Sequence, residues 1–182
     1  MKLLIHVCCA PCFVAPYTHL KDEHDITAFW FNHNIHPYTE YQKRLDTLRE
    51  FVTKYNISYI EKDEYDLDRF IQNAVFRENK RCISCYYERL KYTAIIAKKG
   101  KFDAFTSTLL YSKHQNHNLM IEIAESLAKE YGVKFYYQDF REYWKEGIKL
   151  SKEEEMYRQQ YCGCIYSERD RYQKKVKVRI KN

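Results

Sequence analysis

Five short apolar runs, with stretches of helical spacing between them, constrain this chain more than any other feature of its sequence. KLLIHV (Lys2–Val7) comes first and has the length and apolar density of a buried strand. DITAFWFN (Asp25–Asn32), ISYIEK (Ile57–Lys62), FDAFTSTLL (Phe102–Leu110) and VKFYYQDF (Val133–Phe140) repeat the type. Between them a short helix is expected over Pro11–Lys21, since proline is tolerated in a first helical turn. EYQKRLDTLREFVTKY places Tyr41, Leu45, Leu48, Val52 and Tyr55 on one helical face. DLDRFIQNA predicts a short helix. CISCYYERLKYTAIIAKKG predicts a longer one, with Ile83, Tyr87, Leu90, Ala94 and Ala97 in its stripe and a stop at Gly100. NLMIEIAESLAKEYG stops in the same way at Gly132, and the remainder reads as helix and loop. This alternation predicts a single α/β domain over 1–182, a Rossmann-like, largely parallel five-stranded sheet with helices on both faces. Ligands of such sheets gather beyond the carboxyl ends of the strands.

CCAPC (Cys8, Cys9 and Cys12) follows the first strand directly, in that position. The chain has no apolar run of about 18 residues, so no membrane span is expected. Its start lacks a charged region, a long apolar core and a small-residue cleavage site, which predicts no signal peptide and a cytoplasmic location. Structural disulfides are rare there, and seven cysteines then point to metal or redox chemistry. The four glycines cannot be arranged into G-x-G-x-x-G or G-x-x-x-x-G-K-[ST], which argues against a Gly-rich nucleotide cradle.

The cysteines form three groups: Cys8, Cys9 and Cys12; Cys82 and Cys85; Cys162 and Cys164. Cys82 and Cys85 start a predicted helix three residues apart, so both thiols can share a face. Unpaired N–H groups, the helix dipole and Arg81 all favour the thiolate there. Structural zinc, a redox dithiol and two buried thiols are all compatible with CISC alone. Adjacent Cys8 and Cys9 are unusual for structural zinc, whose ligands come in spaced pairs. Cys9-Ala-Pro-Cys12 has the spacing of a thioredoxin-like dithiol but leaves the other thiols without a role. Seven thiols divide more naturally as four around a 4Fe–4S cluster and three for redox work or a second metal. Two rival functions stay open on the residues alone: a thiol–disulfide oxidoreductase, and a zinc-stabilised nucleic-acid-binding module.

Other polar residues carry paired readings. His6, two before Cys8, is either a hydrogen-bonded core histidine or a tuner of the site. KHQNH (Lys113–His117) is either a capped helix start or, through Gln115 and Asn116, a contact to base or ribose. Arg158, between Tyr157 and Tyr161 beside the C-x-C, suits a phosphate. His33 and His36 read as a polar loop, with metal binding as the alternative. The tail from Arg169 holds seven Lys/Arg against one Asp, which matches the net charge of +6 for the whole chain. KVKVRIK within it is either a solubilising edge strand or a phosphate track.

HVCCAPC, RCISCYYERLKYTAIIAKKGKFDAFTSTLL, SKHQNH and EGIKLSKEEEMYRQQYCGCIYSERDR, in this order from the first strand to about Arg171, resemble the epoxyqueuosine reductase family of the QueH type. The resemblance implies an oxidoreductase that reduces the epoxide of epoxyqueuosine in tRNA to the alkene of queuosine, without cobalamin. It implies tRNA and an electron donor as partners, and a 4Fe–4S cluster held by Cys8, Cys9, Cys82 and Cys85. It makes Cys162 and Cys164 a redox-active pair or ligands of a second iron. Cys12 stands where some relatives have an acid, and is assigned to that second site. The tail beyond Arg171 lies outside the shared motifs.

Overall fold

The computed structural model describes residues 1–173. The apolar runs form strands β1 (Lys2–His6), β2 (Asp25–Trp30), β3 (Ser58–Glu61), β4 (Ala104–Ser107) and β5 (Lys134–Phe135). They pair in the order β3-β2-β1-β4-β5, every pair parallel. β1 is central, with Leu3 opposite Ile26 on one side and Ala104 on the other. Its Leu3, Leu4 and Ile5 have no exposed surface, as a strand covered on both faces requires.

Parallel neighbours need crossovers, and α-helices supply them: α1 (Ala10–Leu20), α2 (Tyr38–Lys54), α3 (Leu67–Ala74), α4 (Arg81–Lys99) and α5 (His117–Tyr131). α6 (Trp144–Glu153) and α7 (Ile165–Tyr172) follow the sheet. The chain first winds outward from β1 to β3, then crosses back to β4 and β5. Right-handed crossovers therefore put α1 and α2 on one face and α4 and α5 on the other. The packing agrees: α1 meets α2 and α6, while α4 meets α5 and α3. The winding reverses between β1 and β4, which opens a crevice at their carboxyl ends. No helix among the described residues is long and apolar enough to cross a membrane.

The strands are shorter than the apolar runs. β4 stops at Ser107, whose Oγ accepts the Leu109 N–H at 3.1 Å and starts a 3-10 turn over Thr108–Tyr111. After β5 the Tyr136 N–H still reaches the Phe105 carbonyl at 2.8 Å. Asp139 then accepts from the Arg141 N–H and turns the chain into a second 3-10 turn. The expected stripe of α4 also shifts. Ile83 and Tyr87 are exposed; Leu90, Ala94 and Ala97 are buried as expected, and Cys85, Tyr86 and Arg89 face inward with them. Tyr55 lies past the end of α2 and is exposed. The reading of KVKVRIK as strand or track falls outside the described residues.

Candidate metal and redox centre

The cysteines of all three groups sit at helix N-termini. Cys9 is the N-cap of α1, with Cys8 before it and Cys12 in the first turn. Cys82 and Cys85 lie in the first turns of α4. Cys164 is the N-cap of α7, with Cys162 two residues earlier. Free N–H groups and positive dipole ends therefore point at the thiols, which favours thiolates and the cations they bind. All seven are free thiols.

Cys8, Cys9 and Cys12 form the tightest group: their sulfurs lie within 4.8 Å of one another, and all three residues are buried. Cys8 and Cys9 Sγ are 3.9 Å apart. The 3-10 turn after β4 contributes Thr108 from the other side of the crevice. Its hydroxyl donates to Cys8 Sγ at 3.2 Å and accepts the Cys8 N–H at 3.0 Å. Hydrogen bonds from the Cys12 and Cys9 thiols hold the Cys8 thiol well below its ordinary range, against the effect of burial. Burial pushes the Cys9 thiol up, and hydrogen bonding to Cys8 and Cys9 does the same to Cys12. Of the three thiols Cys8 is therefore the most readily ionised, with Cys9 and Cys12 placed to donate to it. Gln159 Nε2 donates to Cys9 Sγ at 2.9 Å and to Cys12 Sγ at 3.4 Å.

Of the other four thiols, Cys85 and Cys162 stand beside two buried arginines. Arg89 is 2% exposed, and its Nη2 donates to Cys85 Sγ at 3.0 Å. Burial opposes the Arg89 charge, but the fields of Cys85, Cys162 and Cys8 more than restore it. Cys85 and Cys162 are raised to about 12 and about 11, chiefly by burial, with Arg89 acting in the opposite sense on both. Cys162 is exposed by area even so. Arg44, on α2, pairs with Glu40 at 2.7 Å and donates to the Cys162 and Tyr161 carbonyls at 2.9 and 3.0 Å. This pins the C-x-C loop to the body of the protein. Gly163 between the two cysteines has φ 148°, and a Cβ there would stand 3.2 Å from Ile35 and 3.4 Å from Arg44. Only glycine fits that turn.

A cavity of about 510 Å³ opens against the centre, with Cys8, Cys12, Cys162, Gln115, Arg158 and Gln159 in its wall. Its size suits one small ligand. Gln115 and Gln159 keep their buried carbonyl oxygens without partners. Gln115 and Arg158 both line this cavity. Asn116 does not line the cavity: its side chain caps α5 by accepting the Leu119 N–H at 3.1 Å. His6 is a buried core histidine, Nδ1 on Ser107 Oγ at 2.8 Å and Nε2 on the Phe31 carbonyl at 3.2 Å. His33 and His36 lie in a loop, but a buried one. His36 donates its N–H to the Gly163 carbonyl at 2.8 Å, and its own carbonyl accepts from Tyr161 at 2.6 Å. Sequence reasoning missed Arg44, Arg89, Thr108 and Gln159. Arg89 had a signal, since it lies one turn from Cys85 on the same face.

The donor set fits an iron–sulfur or thiolate-bound metal: several thiols, one of them held well below its ordinary range, with two buried cations to balance thiolate charge. Two thiolates on one tetrahedral ion at bonds of about 2.3 Å stand roughly 3.8 Å apart. Cys8 and Cys9 have that separation. A 4Fe–4S cluster takes one thiolate per iron and requires the two side chains to splay.

The model of the family "Epoxyqueuosine reductase QueH" matches residues 3–170 of the chain. Proteins of that name from Dehalococcoides mccartyi and Thermotoga maritima are 36% and 33% identical to it, over 95% and 97% of this chain and 96% and 95% of theirs. A third, from Acinetobacter baylyi, is 35% identical over 93% of this chain and 81% of its own. The chain belongs to the QueH family of epoxyqueuosine reductases, a family of oxidoreductases.

Proposed function

We propose that this chain reduces epoxyqueuosine in tRNA to queuosine in the cytoplasm, using a 4Fe–4S cluster and an adjacent redox site. The reaction takes two electrons and two protons. Both C–O bonds of the epoxide break, the alkene forms, and the oxygen leaves as water. An external electron donor supplies the electrons; a bound cluster would supply one-electron transfer. In this reading Cys8, Cys9, Cys82 and Cys85 hold the cluster. Cys12, Cys162 and Cys164 form the second site, as a dithiol or as ligands of one further iron. The observation that carries the reading is the cavity wall, where Cys8, Cys12 and Cys162 meet a space of about 510 Å³.

The chain's own residues position the substrate. Arg158 takes a phosphate, and the free carbonyl oxygens of Gln115 and Gln159 accept from substrate hydroxyls or amines. Arg44 holds Cys162 in the wall through its carbonyl. Arg89 and Arg44 hold positive charge beside the sulfurs, which stabilises the extra electron of the reduced state.

Anaerobic purification, iron and sulfide analysis, and digestion of treated epoxyqueuosine-tRNA to nucleosides test this together. Brown protein that bleaches on reduction and yields queuosine is expected. Cys82→Ala and Cys85→Ala are expected to lose the cluster. Cys162→Ala is expected to keep its visible spectrum and stop turnover. Colourless protein with one zinc, or full cluster content in Cys82→Ala, overturns the ligand set.

A further inference from the structure

Phe76 is 95% exposed, and its backbone sits at φ 60°. Bulky residues rarely adopt that left-handed region. The ring is not on a loose segment. The Phe76 N–H donates to Glu78 Oε1 at 3.1 Å, the Arg77 N–H to the Ala74 carbonyl at 2.9 Å, and the Lys80 N–H to the Arg77 carbonyl at 2.8 Å. All six residues of VFRENK, 75–80, are exposed. Among the described residues neither Arg77 nor Lys80 forms an ion pair. The fold therefore presents an aromatic ring and two uncommitted cations together on one hydrogen-bonded turn.

The position of this turn is as informative as its chemistry. It runs straight into α4, and Cys82 is six residues from Phe76, at most about 20 Å of extended chain. Arg81, between them, reaches Asp170 at 3.2 Å. Asp170 and Arg171 lie in the wall of the cavity. A space of about 510 Å³ holds one nucleoside, so the neighbouring nucleotides must stay outside, on the surface around the mouth.

We propose that the Val75–Lys80 turn docks the RNA that flanks the reacting nucleoside. Phe76 stacks on an unpaired base, and Arg77 and Lys80 meet the adjoining phosphates. Single-stranded loops offer such bases, and stacking on an aromatic ring tolerates any of them. RNA also neutralises the two cations, which a contact through apolar surface would desolvate without compensation. The inference rests on tRNA being the substrate.

Fluorescence anisotropy with labelled epoxyqueuosine-tRNA, at several salt concentrations, tests it on the full chain. Phe76→Ala is expected to weaken binding on the order of tenfold, and Phe76→Trp to restore it. Arg77→Ala is expected to flatten the log–log salt dependence by about 0.7 to 0.9. Reduction of the free epoxyqueuosine nucleoside is expected to be unchanged in all three variants. Equal RNA affinity in Phe76→Ala and wild type overturns the inference, whether or not the nucleoside is reduced. Loss of self-association in Phe76→Ala at unchanged RNA affinity also overturns it, and gives the turn to a contact between copies. Failure of wild type to reduce the nucleoside would count against the reduction chemistry and leave the docking result standing.

Discussion

Arg89 acts on all three thiol groups through a single side chain. Its Nη2 lies 3.0 Å from Cys85 Sγ, and its charge acts on Cys8, Cys162 and His6 as well. A guanidinium with so little exposed surface is costly unless anions compensate it. Thiolates, or a cluster that gains negative charge on reduction, supply that compensation. Arg89→Gln removes the cation but keeps a donor. With a cluster bound, its midpoint potential is expected to fall by on the order of 100 mV, because reduction then adds charge to an uncompensated site. Arg89→Lys is expected to recover most of the shift. A potentiometric titration followed in the visible spectrum checks this, and an unchanged potential in Arg89→Gln would remove the electrostatic role.

At the scale of elements, the helix N-termini do most to build the centre. α1, α4 and α7 have no side-chain cap bond at their N-caps, so their first-turn N–H groups remain available to the thiols. α5 differs, because Asn116 caps it. Asn116→Ala is expected to cost about 1 kcal/mol of stability and to leave RNA affinity and turnover unchanged. Gln115→Leu, one residue earlier, is expected to do the reverse: little change in stability and a raised KM, since its carbonyl oxygen has no partner in the protein. Urea unfolding and steady-state kinetics on the two variants separate the roles. A raised KM in Asn116→Ala would restore the substrate contact that the sequence allowed.

The whole molecule is expected to lose stability in mild acid through its buried histidine loop. Burial lowers His33 to about 3, with the charges of Arg89 and Arg69 adding to it, and lowers His36 to about 4. Both values lie below the ordinary 6.5. Between them and 6.5 the unfolded chain binds protons that the folded chain refuses. Stability is therefore full above about pH 6.5 and falls as the pH drops toward 4, by at most about 1.4 kcal/mol per pH unit for each histidine. His36→Gln is expected to reduce that slope by one proton's worth in urea midpoints measured from pH 7 to 4. An identical slope in the variant would show that the loop opens or hydrates before it titrates. This loop holds the C-x-C segment through the Gly163 carbonyl and the Tyr161 hydroxyl, so acid is expected to loosen that segment with it.

Local pattern was enough to read the strands and helices in order, the carboxyl-end position of Cys8 and Cys9, and the helix-start position of Cys82 and Cys85. Each depends on short-range periodicity or on a residue's own turn. The order β3-β2-β1-β4-β5 and the crevice between β1 and β4 depend on which strands pair, and pairing leaves no local mark. The burial of Arg89 and Arg44 reads as an error in an amphipathic stripe until the thiols on other elements are brought beside them. Gln159 was indistinguishable from its neighbour Gln160 in YRQQYC. In the fold Gln159 reaches Cys9 and Cys12, and Gln160 bonds the Arg158 carbonyl at 3.1 Å. Nothing in the sequence marks the ring of Phe76 as exposed, because exposure is set by the absence of neighbours, which only the tertiary structure decides.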